Sequence, residues 1–225
     1  MDFEFEERRS DSSYVEMIWR TRSERAGSFI SRAVSHWEMV VWRCRGRIRL
    51  TVRGPETKAS IAPCPADAEF FGIQFKLGTF MPRLPAGRLV DSAITLPQAT
   101  NESFTLDGAA WHYPDFDNAE TFVDRLVRAG LLERDPVVDA VLHGERQYRS
   151  VRSIQYRFVR ATGLSHSAIQ QIERARRAEA LLQRGASIVD TAYEAGYADQ
   201  PHLTRALKRL VGQTPAQIAA AKAVA

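Results

Sequence analysis

The chain has 225 residues, an apolar fraction of 44% and a formal net charge of +4, enough apolar content for a packed core and enough length for two modest domains. No run of about 18 apolar residues occurs and residues 1–9 are rich in Asp, Glu and Arg, so a cytoplasmic chain is expected, neither exported nor membrane-spanning. Cys44 and Cys64 are the only cysteines, without a C-x-x-C pair or a His spacing suited to zinc, and are expected to be free thiols.

The charge is unevenly placed. Residues 150–225 hold 11 Lys+Arg against 5 Asp+Glu, whereas residues 1–149 hold 20 against 22. A positive surplus on one segment suits a polyphosphate partner, because neutralising phosphates releases condensed counterions; a solvated arginine-rich surface would look the same by charge alone.

In chain order, residues 37–106 read as short strands. Residues 47–53 alternate apolar and polar with period two, which predicts one buried and one basic face, and Phe71, Ile73, Phe75 and Leu77 form a second alternating set. Gly54-Pro55, Asp107-Gly108 and prolines 63, 65, 82, 85 and 97 supply breaks. This half is expected to be a sheet or small barrel. His36, Trp37, Glu38, Trp42, Phe75 and Trp111 are candidates for an apolar ligand pocket with polar fixers, set against the simpler reading of such aromatics as core. The arginines at 43, 45, 47, 49 and 53 offer either a solvated strand face or a seat for an anionic effector.

At residues 113–118 an Asp/Asn helix start precedes apolar residues at Phe122, Val123, Leu126 and Val127, and everything beyond reads helical, punctuated by Gly130, Asp135-Pro136, Gly163, Gly185 and Gly212 with Pro215. Ser150 can cap a helix whose buried stripe is Ile154, Phe158 and Ala161 and whose outer face carries Arg152, Ser153, Tyr156, Arg157 and Arg160. Residues 165–184 predict a long helix with Ile169, Ile172, Ala175, Ala178, Leu181 and Leu182 inward and Glu173, Arg174, Arg176 and Arg177 outward.

Residues 187–212 carry the clearest signal. Ile188 and Ala192 give a short helix a buried stripe, Gly196 ends it, and Asp199 can cap a second helix in which Leu203, Leu207 and Leu210 share the inner face. Pro201 falls in the first turn, where its missing N–H costs little. The outer face offers Gln200, His202 and Arg205, with Lys208 and Arg209 behind them; in a major groove Gln pairs with adenine and Arg with guanine. A helical hairpin with a polar outer face has the same spacing.

Ser150-Val-Arg-Ser-Ile-Gln-Tyr-Arg-Phe158, Ala161-Thr-Gly163, the Arg-Ala-Arg-Arg-Ala-Glu-Ala-Leu-Leu run ending at Leu182, Ala195-Gly-Tyr-Ala-Asp-Gln200, Leu203-Thr-Arg-Ala-Leu-Lys208 and Gly212-Gln-Thr-Pro215 follow one another in an order that resembles the DNA-binding domain of the AraC/XylS family. The resemblance covers roughly residues 117–218. It implies a seven-helix domain with a first helix-turn-helix at about 135–162, a linker helix at about 165–184 and a second unit at about 187–211. Three places depart from the family: Gln147 stands where a glycine is usual and His143 where a small residue is, Tyr156 replaces a frequent arginine, and Pro201 replaces a small polar residue.

The expectation is therefore an α+β chain, with residues 1–116 a β-rich sensor or dimerisation domain and residues 117–225 the AraC-type helical domain. Its function is expected to be sequence-specific regulation of transcription in response to an effector. Arg152, Ser153, Tyr156, Gln200, His202 and Arg205 are the candidate base readers; Arg157, Arg160, Lys208 and Arg209 are the candidate phosphate contacts. Expected partners are double-stranded DNA and, beyond it, a small-molecule effector, RNA polymerase and a second copy of the chain. The alternative is a ligand-binding module whose helical part docks another protein. No cofactor is called for: histidines 36, 112, 143, 166 and 202 are dispersed, and no Gly-x-Ser-x-Gly elbow, phosphate-binding glycine loop or paired Cys-His occurs, so no enzyme is expected.

Overall fold

The computed structural model describes residues 4–142, 144–145 and 150–222. In chain order the strands are β1 (Glu4–Arg9), β2 (Val15–Ser23), β3 (Gly27–Ser31), β4 (Glu38–Cys44), β5 (Arg47–Arg53), β6 (Ser60–Cys64), β7 (Ala68–Phe75), β8 (Thr79–Phe80), β9 (Ala93–Thr95), β10 (Gln98–Thr100), β11 (Ser103–Leu106), β12 (Ala109–His112) and β13 (Glu133–Arg134). The helices are α1 (Ala119–Arg128), α2 (Pro136–Leu142), α3 (Val151–Thr162), α4 (His166–Arg184), α5 (Ile188–Glu194), α6 (Gln200–Leu210) and α7 (Pro215–Lys222). The fold class is α+β, with a strand-rich first half and a helical second half. Two compact units result: Met1–Ser28, His36–Pro55 and Pro63–Ser165 form the first, and Phe29–Ser35, Glu56–Ala62 and His166–Ala225 the second.

The first unit is built on a six-stranded sheet in the order β1-β2-β7-β4-β5-β9, antiparallel throughout. Register aligns Ile18 with Ile73, Ile73 with Met39, and Met39 with Val52, a row of side chains with no exposure that crosses four strands. Each contributes roughly 1.5–3 kcal/mol by leaving water. Phe104 and Trp111 of the β11–β12 hairpin and Phe122, Val123 and Leu126 of α1 join the same core. The periodicity of α1 is thus helical as expected, while its apolar stripe packs with the sheet residues. β1, β2 and β3 lie ahead of the region where strands were expected; β1 reads Glu-Phe-Glu-Glu-Arg-Arg, and its charges hid the alternation.

The start of α1 is set by Asp115, whose Oδ1 accepts from the backbone N–H groups of Asp117 and Asn118, and the N-cap Asn118 makes no capping bond of its own. Arg8 on β1 then anchors the helix: its guanidinium reaches Glu120 at 2.5 Å and the Phe116 carbonyl at 2.9 Å. The hydrogen bonds of Arg8 hold the Glu120 carboxyl down at about 2.

The second unit combines two ribbon segments, residues 29–35 and 56–62, with α4 to α7. β3 pairs with β6, and Val34 bridges Glu56. Ile169, Ile172, Ala175, Ala178 and Leu182 of α4 are buried as the spacing predicted, and Leu203, Leu207 and Leu210 of α6 complete the core. Leu181 and Ile188 are half-buried. Among the described residues no helix is long and apolar enough to cross a membrane, and no cluster of three or more His, Cys, Asp or Glu is placed to hold a metal.

Candidate nucleic-acid interface

Ser187 starts α5 by accepting from the backbone N–H of Asp190 at 3.0 Å. The helix ends at Gly196, whose φ of +74° is reached without strain only by a residue lacking Cβ. The exposed carbonyls at this end are taken by the linker helix α4: Arg177 Nη2 donates to the Ala195 carbonyl and Arg174 Nη1 to that of Gly196, both at 3.3 Å. Arg174 also lies 4.7 Å from the centre of the Tyr197 ring, whose burial pushes the phenol pKa up. Expected on the outer face of α4, these two arginines instead fix the turn between α5 and α6.

Asp199 caps α6 by accepting from the backbone N–H of His202 at 2.6 Å, with Pro201 in the first turn. Side chains advance by about 100° per residue, so the direction opposite Leu203, Leu207 and Leu210 is occupied by Pro201, Arg205 and Lys208, all exposed. Arg205 and Lys208 have no hydrogen-bond or ion-pair partner among the described residues. Gln200 is exposed at the N-terminal edge. His202 lies on the flank, half-buried and edge-on to Tyr197 at 5.2 Å, which leaves part of its ring for an outside partner. Arg209, on the same flank, donates to Gln171 Oε1 at 3.2 Å.

The far end of α6 is closed by the ribbon. The backbone N–H of Ala33 donates to the Leu210 carbonyl at 2.7 Å and that of Ala59 to the Arg209 carbonyl at 2.8 Å, so backbone just outside β3 and β6 satisfies acceptors that a helix end otherwise leaves to solvent. Gly212, at φ +84°, lets the ribbon approach: a Cβ there would lie 2.8 Å from Ile30 Cγ2 and 3.1 Å from Ala59 Cβ. Ser35 donates to Glu173 at 2.7 Å, and Arg32 meets Glu179 at 3.2 Å. Sequence reasoning missed this clamp, because the two segments carry neither a motif nor a period that points to α6.

The first candidate reader, α3, belongs to the other unit. Ser150 caps it by accepting from the Ser153 N–H at 3.2 Å, and Phe158, Ala161 and Thr162 are buried, with Ile154 half-buried. Its outward stripe is Arg152, Tyr156, Val159 and Arg160; Tyr156 is 67% exposed and Val159 47%, so this surface is less polar than that of α6. The side chain of Ser153 is half-buried beside this stripe. Arg157 is a correction to the expected phosphate contacts: it points to the flank, where Nη1 donates to the buried Asp135 at 2.9 Å and ties α3 to the start of α2. Arg160 lies 5.4 Å over the Phe80 ring but stays exposed. The departures at His143 and Gln147, with the turn residues 146–149, lie outside the described residues.

The six expected pocket residues do not converge. Trp37 stacks on Phe75 with ring centres 4.0 Å apart and donates to the Thr79 carbonyl, and both rings, like Trp111, are buried in the core. Glu38 accepts from Trp19 Nε1 at 3.1 Å and pairs with Arg53 at 3.3 Å. Trp42 sits under Arg49, and His36 is half-buried off the strands. The correction has a simple cause: register puts Glu38 and Trp42 on the sheet face opposite to Met39 and the core. A different, open cleft of about 720 Å³ does exist in this unit, lined by Arg20, Arg22, Arg43, Glu69, Phe71 and Phe116 among others.

Comparison with protein families matches residues 145–221 to the model described as "Helix-turn-helix domain". No curated protein matches the chain. Among solved structures, ToxT from Vibrio cholerae O395 is similar at 8% identity and a TM-score of 0.42 over 95% of this chain and 96% of that one. The unsaturated fatty acid bound wild-type ToxT from Vibrio cholerae strain SCE256 gives 9% and 0.40 over 93% and 96%. At such scores neither likeness carries an argument about this chain.

Proposed function

We propose that the chain, whose residues 145–221 match the helix-turn-helix family model, is a sequence-specific, DNA-binding regulator of transcription of the AraC type whose second recognition helix, α6, lies in a major groove. One observation carries the reading: Arg205 and Lys208 stand unpaired among the described residues, opposite a fully buried leucine stripe, on a helix whose turn and far end are both fixed. Preorganised donors bind without first breaking internal pairs or freezing a loop.

In this reading Arg205 and Gln200 read base edges, His202 contributes from the flank, and Lys208 and Arg209 hold phosphates. On α3, Arg152, Ser153 and Tyr156 are base readers and Arg160 is the phosphate contact, with Arg157 retained for Asp135. The β-rich unit is the sensor, and its open cleft supports a small-molecule effector.

Selection of the full chain against a random duplex library, with and without a small-metabolite extract of cells, tests both halves. Enrichment of one motif is expected, with affinity that the extract changes. Failure to enrich any motif would favour docking of another protein on the helices, a reading supported by Val189 and Tyr193 of α5, one turn apart and 67% and 86% exposed.

A further inference from the structure

On the sheet face that carries the core, one row of side chains is charged over three strands. Register places Arg22 of β2 opposite Glu69 of β7, and Glu69 opposite Arg43 of β4, so a cation, an anion and a cation point to the same side. The next row on that face, two residues along each strand, holds Arg20, Phe71 and Val41, the last two buried. All of these residues line the open cleft of about 720 Å³, a size within the range of small-molecule sites.

The fold leaves the charged row open. Arg22, Glu69 and Arg43 are exposed, and none makes a hydrogen bond or ion pair among the described residues, although adjacent strands lie only about 4.8 Å apart. The other charges of the cleft are engaged. Arg20 pairs with Glu6 at 2.6 Å and lies 4.5 Å from the centre of the Phe116 ring. Asp115 accepts from the backbone N–H groups of Asp117 and Asn118, and the charge of Asp117 acts on Arg8.

Phe116 is held in place as well: Arg8 donates to its carbonyl at 2.9 Å and lies 5.1 Å from its ring centre. Contacts with Arg8 and Arg20 put this loop, with its two aspartates, on the β1–β2 side of the cleft. Arg43 lies beyond β7 from them and is the cation least neutralised by the loop.

A lone carboxylate entering this row meets Glu69, and a lone ammonium meets Arg22 and Arg43. A molecule carrying both charges side by side can satisfy both kinds of group at once. An arginine fork takes a carboxylate in two parallel hydrogen bonds, and a carboxylate one strand away accepts from an ammonium. The apolar row, about 7 Å further along the strands, and the Phe116 ring then offer a place for an apolar side chain.

We propose that this cleft binds a free α-amino acid with an apolar side chain, its carboxylate on Arg43, its ammonium on Glu69 and its side chain toward Phe71 and Phe116. That the amino acid is the effector rests on the regulator reading above; that the cleft binds it does not.

Titration calorimetry of the full chain with L-leucine and with L-phenylalanine tests the site. Saturable binding of at least one is expected, weakened at least tenfold by Arg43→Ala and unchanged by Arg49→Ala, which alters the opposite face of the same hairpin. Analogues without the ammonium, isocaproate and hydrocinnamate, and without the carboxylate, isoamylamine and phenethylamine, should bind at least tenfold more weakly. Glu69→Gln should weaken the amino acid and tighten the ammonium-free analogue, a crossed effect that a change of shape alone does not produce.

Binding of neither amino acid, equal affinity in Arg43→Ala, equal affinity for the analogues, or a Glu69→Gln variant that leaves both ligands unchanged would overturn the proposal, whether or not the chain selects a DNA motif. Amino acid binding that leaves affinity for the selected duplex unchanged upholds the site and removes its role as effector site. Binding by a chain that selects no motif upholds the site and removes the regulator reading instead.

Discussion

The Arg32 guanidinium lies 3.2 Å from Glu179, a half-exposed arginine on the ribbon against a carboxylate that is only 6% exposed on the linker helix. Burial pushes the Glu179 pKa up, and the charges of Arg32 and Arg176 pull it part of the way back. The pair therefore compensates a buried charge more than it adds net stability.

Because its pKa is raised, Glu179 takes up a proton more readily in the folded chain than in the unfolded one. The stability that Glu179 contributes is then fully present below the ordinary carboxylate range and is lost as pH rises through the raised folded value. Arg32→Ala should deepen that fall, with an added loss of about 1–2 kcal/mol near neutral pH after discounting for the exposed arginine. Glu179→Gln should flatten it. Thermal melts from pH 5 to pH 8 check both, and parallel curves for Arg32→Ala and the native chain would rule out this role.

Two glycines at similar positive φ separate space from conformation. Gly212→Ala meets Ile30 and Ala59, whereas Gly196→Ala meets nothing within 4 Å. Denaturant melts should show about 1 kcal/mol lost at Gly196 and about 2–3 kcal/mol at Gly212. Only Gly212→Ala should also weaken specific duplex binding, by displacing the last turn of α6.

Substitutions on α6 and α3 should divide by mechanism. Arg205→Ala should cost about 1–3 kcal/mol at one position of the selected site and relax preference there, while Lys208→Ala should weaken all duplexes alike and lower the salt slope by about 1. Arg157→Ala should leave the salt slope intact and lower the melting temperature, since it orphans the buried Asp135. Fluorescence anisotropy at several salt concentrations, paired with melts, separates the three.

Acid should loosen α1 through Glu120. Its carboxyl is held at about 2 by Arg8 first and by Ser10 in support, so the stability it supplies is complete above the ordinary carboxylate range and disappears as pH falls toward 2. Glu120→Gln should remove this component from acid-unfolding curves between about pH 5 and pH 2. A variant that keeps the native acid limb would show that Arg8 and Glu120 do not control it.

How much was legible beforehand follows the range of each interaction. Helix caps act within three residues, so Ser150 and Asp199 could be read from the sequence, and the strand alternation of residues 47–53 and the leucine stripe of α6 are likewise local periods. The ribbon could not be read: Ala33 and Ala59 act through backbone N–H groups on carbonyls 177 and 150 residues away, and backbone donors leave no trace in residue type. The ligand pocket misled because large aromatics mark both cores and cavities; only strand register showed Trp37 and Phe75 inside and Trp42 on the opposite face. Arg157 misled in the same way, an arginine on a reading helix whose flank position gives it to Asp135.

The ribbon also bears on how the molecule is made. The chain passes between the two compact units five times, and the segments that close the end of α6 leave the ribosome well over a hundred residues before α6 does. The second unit can reach its native state only when segments 29–35 and 56–62 close onto the helices that follow residue 165, a high-contact-order step that slows folding. A fragment starting near residue 117 would emerge with its recognition helix uncapped. Two full-length copies could exchange ribbons during folding, a route to domain-swapped dimers that needs no interface beyond the one each copy already makes with itself.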